Sequence, residues 1–383
     1  MVPILLLLQL VVFYIAGSAP NAVKHAFPQT TAYPLPNPGN IAAHDPNILE
    51  HNNTFYLFKG GVHIPIFHAP SLSGPWRKLG TVLDGPTIIP KQNRTRPWAP
   101  TAVFRNGVFY CFYAVSTRGS RHSAIGVAST DAIEPGRPWT DHGALVHSGS
   151  GPLSRVHPYS RSNAIDPAFV ADQESGAPYL VFGSFWDGIF QVPLARDLRA
   201  IVRKERPDAR QLASMPQRKV RPVEGSFVSY AEPFYYLWFS YGKCCRFARG
   251  LPAAGEEYSI HVGRSRHVRG PFFDRQGRRL TSGGGATVYG SNHGVVYAPG
   301  GLGVLAGNGS RRDILYFHYL NTTVGLADKN ARLGWTYLDY VDGWPFANAT
   351  DAADSEPELP VTYTFNLLVI MWIWAYLWLD DLL

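Results

Sequence analysis

Five runs of aromatic and β-branched residues recur along the chain, each after a turn signal: "NNTFYLF" near residue 55, "NGVFYCFYAVS" near 110, "GAPYLVFGSF" near 180, "AEPFYYLWFSYG" near 237 and "RRDILYFHYL" near 316. Branched and ring side chains pack well on a pleated surface, while Gly, Asn and Pro make the turns, so each run reads as a strand. Their spacing of 55 to 79 residues fits repeated antiparallel sheets somewhat longer than a usual propeller blade of roughly 40 to 50 residues. The predicted fold is all-β, a single-domain five-bladed β-propeller spanning 40–346. A radial array also leaves few free sheet edges. Helical periodicity is weak: its best stretch, from Pro193, is broken by Pro207 and predicts a connection.

Around this domain the chain changes character. Residues 1–19 combine a short apolar core with small residues from Ala16 to Ala19 and read as a secretory signal peptide, although no Lys or Arg precedes the core. Residues 20–39 form a Pro-rich lead-in segment. Sequons at Asn52, Asn93, Asn308, Asn321 and Asn348 agree with a secreted, glycosylated protein. Residues 347–383 join an acidic spacer to an apolar tail. That tail reads as a membrane anchor, a removed lipid-anchor signal or a gene-model error. The net charge of +7 comes from scattered Lys and Arg with no aromatic-interleaved stripe, which excludes nucleic acid as the expected partner. It leaves room for attraction to acidic cell-wall polysaccharide. Of three cysteines, Cys111 lies in an alternating strand pattern and reads as a buried thiol. Cys244 and Cys245 are adjacent, and either a vicinal disulfide or two thiols suits them.

Two Asp-Pro pairs, in "AAHDPNILE" from Ala42 and "NAIDPAFVA" from Asn163, lead the first and third units. Proline holds the preceding residue extended, which aims Asp45 and Asp166 from the starts of inner strands toward the channel. The fourth unit opens with "VEGSF" and puts Glu224 in the corresponding place, with Gly225 permitting a close approach. One Asp-Pro pair is ordinarily a turn; three acids at equivalent places make a candidate site. Carboxylates converging on one funnel repel each other and raise at least one pKa, which yields both a proton donor and an ionised base.

From about Asn40 to about Phe346 the chain resembles the endo-arabinanases of glycoside hydrolase family forty-three. The matching stretches, in the family's order, are "HDPNI", "RPWAPTAVF", "SAIGVAST", "NAIDPAF", "FGSFWDGIFQ", "EGSF", "FSYGKCC", "PAAGEEY" and "GSNHG". The resemblance implies an inverting hydrolase of α-1,5-linked arabinan, the side chain of plant pectin. It assigns Asp45 as general base, Glu224 as general acid and Asp166 as the residue that tunes and orients the acid. Inversion needs base and acid roughly 6.5 to 9.5 Å apart, with water between. The resemblance also assigns His293 to a largely water-coordinated calcium ion, with no organic cofactor. Hard cations prefer oxygen donors, which makes one imidazole an unusual calcium site.

Trp98, Phe185 and Trp186 are candidate walls for sugar rings, with core packing the ordinary alternative. Read as neighbours on one strand, Phe185 and Trp186 face opposite ways. Asn163 and Ser184 are candidate donors to furanose hydroxyls. One departure concerns "WAP": Thr101 follows it where the family usually has an acid. The expected protein is a monomeric, extracellular enzyme, with anchoring at the cell surface through the C-terminal tail left open. Two alternatives stand beside it: a carbohydrate-binding propeller with weakened catalysis, and an exo-acting arabinofuranosidase or xylosidase of the same fold.

Overall fold

The computed structural model describes residues 33–292, 294–307 and 311–348. The signal peptide, the tail beyond Asn348 and His293 lie outside the described residues. Among those described, no helix is long and apolar enough to cross a membrane. Strand β1 (Asn37–Ala42) precedes five sheets. The first blade holds β2 (Asn47–His51), β3 (Thr54–Phe58), β4 (Pro65–Ala69) and β5 (Arg77–Thr81). The second holds β6 (Trp98–Arg105), β7 (Val108–Ser116), β8 (Ser123–Thr130) and β9 (Thr140–Ser148). The third holds β10 (Ala168–Ala171), β11 (Pro178–Phe182), β12 (Ile189–Pro193) and β13 (Arg210–Ala213). The fourth holds β14 (Val223–Ala231), β15 (Phe234–Tyr241), β16 (Ser259–Ser265) and β17 (Ala286–Tyr289). The fifth holds β18 (Val296–Leu305), β19 (Asp313–Asn321), β20 (Arg332–Val341) and β21 (Trp344–Asn348). Every pairing is antiparallel. The five-bladed all-β propeller expected from the recurring runs is therefore present.

Local chemistry sets the hairpins. Asn106 and Gly107 take φ of 51° and 77° between β6 and β7, and Asn52 and Asn53 take 49° and 57° between β2 and β3. Two-residue turns with both φ positive match the right-handed twist of the strands they join, and Asn and Gly tolerate that region best. The ring closes with a strand from the start of the described chain. β1 pairs with the first part of β20, Asn37 opposite Trp335 and Ala42 opposite Arg332, while β21 takes the rest of the same edge. The Pro-rich segment thus runs into the fifth blade: Pro34 O accepts from Asn292 Nδ2 at 3.0 Å, and β1 begins at Asn37.

The core lies between blades rather than in one centre. Phe58 and Tyr113, Phe112 and Phe182, Val181 and Leu237, Trp238 and Phe317, and Leu57 and Tyr316 share successive apolar clusters. Burying each such side chain contributes about 1.5–3 kcal/mol, so every interface holds two neighbouring blades together.

The innermost strands surround a narrow channel of about 30 Å³, lined by residues of all five blades. At its mouth each blade contributes one residue of left-handed backbone: Asp45 (φ 48°), Ala99 (39°), Asp166 (55°), Gly225 (58°) and Gly301 (55°). This corrects the sequence reading twice. Asp45 and Asp166 are not extended ahead of their prolines. The fourth-blade residue equivalent to them is Gly225, one position after Glu224. Asp enters the left-handed region more readily than most residues, and Gly enters it freely.

Candidate active site

Above the channel mouth lies an open cleft of about 1330 Å³, and Asp45, Asp166 and Glu224 all line it. Asp45 and Asp166 also line the channel, whereas Glu224 does not. The one-residue offset turns the longer Glu side chain onto the cleft floor. There Ser184 Oγ donates to Glu224 Oε2 at 2.6 Å and Tyr258 Oη donates to Oε1 at 3.1 Å. The backbone N–H of Gly225 donates to Asp166 Oδ2 at 2.9 Å, linking the two acids through adjacent residues.

Asp45 lies against two histidines. Its carboxylate oxygens are 3.1 Å from His44 Nδ1 and 3.4 Å from His318 Nδ1, and its own N–H donates to His318 Nδ1 at 3.1 Å. The two imidazoles stack with centroids 4.1 Å apart. Because Nδ1 of His318 accepts a hydrogen bond, that ring is neutral. Burial, reinforced by the charge of His44, holds its pKa down at about 3.

Electrostatics separate the three acids. Burial alone would raise Asp45, but His44 beside the carboxylate, helped by Arg118, outweighs it and holds the carboxyl at about 2. Burial and the neighbouring charges of Glu224 and Asp45 push Asp166 well above the ordinary range. Burial also raises Glu224, with the Asp45 charge adding to it, against the opposing hydrogen bonds from Ser184 and Tyr258. Tyr258 is itself pushed far up, first by burial and then by the carboxylates around it, so it stays a hydroxyl donor. The arrangement therefore couples a carboxylate that is ionised to a pair of carboxyls that retains a proton.

Two glycines make this packing possible. A Cβ on Gly300 would occupy the Tyr258 ring, and one on Gly301 would collide with Asp45 Oδ1 and His318 Nδ1. Thr101 is buried, and its hydroxyl donates to the carbonyl of Pro167 at 2.6 Å, tying β6 to the residue after Asp166. Asn47 joins three blades: it donates to Tyr316 Oη at 3.2 Å and accepts from the Ala102 N–H at 2.8 Å.

The other expected residues divide. Trp98, Asn163, Phe185 and Trp186 line the cleft. Asn163 is buried, and its side-chain oxygen accepts from Ser123 Oγ at 2.7 Å. Ser184 lines the cleft as well, and its hydroxyl donates to Glu224 Oε2. Phe185 and Trp186 are not strand neighbours facing opposite ways: with φ of 51° and 39° they form a turn that brings both to the cleft, Trp186 at the lip, 39% exposed. Tyr258 and His318 escaped the sequence reading. His318 sits in "LYFHYL", a pattern that reads as core.

For a metal, the described residues converge in one group: donor atoms of His44, Asp45 and His318 lie within 4.8 Å of one another. Calcium takes roughly six to eight oxygens. This set offers one carboxylate and two imidazoles, and Nδ1 of His318 already accepts the Asp45 N–H. Among the described residues, these donors alone do not make a calcium site. Cys244 and Cys245 form a disulfide on the cleft wall, and Cys111 is a buried free thiol.

Comparison with known proteins gives the family and the fold. The family model described as glycosyl hydrolases family 43 matches residues 36–345. "Probable arabinan endo-1,5-alpha-L-arabinosidase D" of Emericella nidulans is 52% identical over 370 residues, covering 96% of each chain. The exo-1,5-alpha-L-arabinanase from a bovine ruminal metagenomic library superposes with a TM-score of 0.70 at 26% identity, covering 82% of this chain and 98% of that one. A Cellvibrio cellulosa alpha-L-arabinanase complexed with arabinohexaose gives 0.68 at 27%, covering 80% and 96%. With the family match extending across all five blades, the chain belongs to the glycosyl hydrolases of family 43.

Proposed function

We propose that this protein is a secreted arabinan endo-1,5-α-L-arabinosidase that hydrolyses internal α-1,5 bonds of arabinan in plant pectin with inversion at the anomeric carbon. The observation that carries the reading is the meeting of three acids in one open cleft, Asp45 against His44 and the pair Asp166 and Glu224 linked through the Gly225 N–H. Asp45 accepts a proton from a water molecule as the water oxygen attacks C1. The C1–O bond to the departing sugar breaks, and Glu224 delivers its proton to that oxygen. Asp166 is the positioning residue, sharing the proton and held to the next backbone N–H after Glu224. Base and acid on opposite faces of the sugar give inversion. Action in mid-chain is supported by the relatives at 52% and 44% identity, which are named as arabinan endo-1,5-alpha-L-arabinosidases. Secretion is supported by the sequons, of which Asn52 occupies an exposed hairpin turn.

Digestion of linear debranched arabinan is the test. The wild type releases short oligosaccharides from the interior, and proton NMR of the first product shows the inverted anomer. Glu224→Gln lowers kcat by at least about 100-fold, within the range for loss of a general acid, while arabinan oligomers still bind. Undiminished hydrolysis by that variant refutes the assignment, and release of single terminal units only would refute endo action.

A further inference from the structure

Arabinan, the substrate proposed above, carries hydroxyls and no charge, yet the cleft is strongly cationic. Lys and Arg supply 11 of its 39 lining residues, against 35 of 383 in the whole chain, an enrichment of about threefold. Apart from the three candidate catalytic carboxyls, the lining holds three acids, and each faces a guanidinium. Arg161 and Arg221 hold Asp187, Arg218 holds Glu256, and Arg118 lies 3.6 Å from Asp328.

Four cations are left over. Arg96, Lys219, Arg246 and Lys329 are exposed, and among the described residues their side chains make no hydrogen bond or ion pair. Arg96 precedes β6, Lys219 precedes β14, Arg246 follows β15, and Lys329 lies between β19 and β20. Loops of three blades therefore bring positive charge to one cleft, rather than one basic element presenting a solvated face. Asp45 is held ionised by His44 and Arg118, so these four are not needed for that task. A cleft lined by one sign of charge focuses its field on whatever enters, and a neutral chain gains nothing from it.

We propose that this rim binds carboxylate groups, so that the enzyme acts on arabinan still attached to a uronate-containing polysaccharide. This rests on the arabinan reading and extends it. Neutral furanose units occupy the floor beside Asp45 and Glu224. Uronate carboxylates of the same or an adjoining chain meet Arg96, Lys219, Arg246 and Lys329. Arg matches a carboxylate with two parallel N–H donors, and Lys adds a mobile point charge. Charges at this exposed rim act across about one Debye length, near 10 Å at 0.1 M salt, so the preference is salt-sensitive.

The test compares two substrates: a pectic polysaccharide bearing arabinan, and the same material with its carboxyls chemically reduced to alcohols. At about 20 mM NaCl the wild type prefers the carboxylated form by about fivefold or more in kcat/KM, and at about 300 mM the preference disappears, as screening of exposed charges requires. Lys219→Glu/Arg246→Glu abolishes the preference at low salt. Arg77→Glu/Lys78→Glu changes net charge equally on exposed residues of β5 that do not line the cleft, and keeps it. No preference in the wild type, or equal loss in both double variants, overturns the proposal. If neutral linear arabinan is not cleaved at all, the functional reading fails instead. The rim is then judged by calorimetry with galacturonate oligomers: binding by the wild type that the Lys219→Glu/Arg246→Glu variant loses supports it, and no binding overturns it.

Discussion

Tyr258 links the sugar cleft to the proton. Its hydroxyl donates to Glu224 Oε1 at 3.1 Å, and burial keeps it from ionising. That bond favours the charged form of Glu224, so it works against the burial that raises the acid. The sign follows directly. The pair of Glu224 and Asp166 donates only while it holds its proton, so activity is lost as pH rises through the raised pKa of the pair. Asp45, at about 2, is still ionised in mildly acidic solution, so the acid limb lies far below the alkaline one. Tyr258→Phe removes a bond to the charged form and moves the alkaline limb of the kcat/KM profile upward. Loss of the hydrogen bond, worth about 1–1.5 kcal/mol, also lowers kcat about tenfold. A pH profile of the variant with the limb unmoved refutes a positioning role for Tyr258, because a purely structural contact would lower activity without shifting it.

At the scale of elements, the five left-handed residues at the channel mouth decide where the acids point. Gly301 is the most constrained of them, because a Cβ there would displace Asp45 and His318. Gly301→Ala is expected to cost about 1–2 kcal/mol from its φ of 55° and, in addition, to lower kcat/KM at least tenfold. Gly107→Ala separates the two effects: its φ is 77° but its surroundings are open, so stability falls while activity persists. Thermal unfolding and kinetics on both variants check this, and equal activities would show that Gly301 merely relieves backbone strain. The same ring explains what the sequence made legible. The five aromatic runs become the second strands β3, β7, β11, β15 and β19, which carry many of the apolar side chains that join neighbouring blades. Inner strands were harder to read. The ladder of β14 is irregular between Glu224 and Phe227, and β6 is irregular between Trp98 and Thr101, so alternation fails where the site is built. Asp45 and Asp166 stood out because Pro follows each. Tyr258 and His318 did not: His318 stands among core aromatics and acquires its meaning only when Asp45, leading the first blade, comes against it, and Tyr258 stands in a polar loop just before β16, where only the folding of the fourth blade brings it to Glu224.

For the whole molecule, closure of the ring is the feature on which cleft and channel both depend. Each apolar cluster is shared between neighbours, so a gap at the fifth blade is felt by the first. β1 supplies that seal: it covers part of the β20 edge, packs Ile41 against the apolar cluster that contains Leu57, Tyr316 and Leu333, and ends at Ala42, whose carbonyl accepts from Lys59 Nζ at 2.9 Å. The next residue continues the tie, with the Ala43 N–H donating to Ala331 O at 3.0 Å, two positions before Asp45. A protein beginning at Ala43 keeps every acid of the site but loses the strand pairing and the Ile41 contact. Net backbone hydrogen bonds of about 1 kcal/mol each and one buried aliphatic side chain of about 1.5–3 kcal/mol place the loss at several kcal/mol. Its melting temperature should therefore fall by about 5 °C or more relative to a protein beginning at Tyr33, and kcat/KM should fall even well below the transition, because the segment carrying His44 and Asp45 is no longer anchored from its N-terminal side. An unchanged melting temperature would mean that β21 alone seals the fifth blade, and unchanged kinetics would mean that the prolines and histidines around Asp45 hold it without help from the ring.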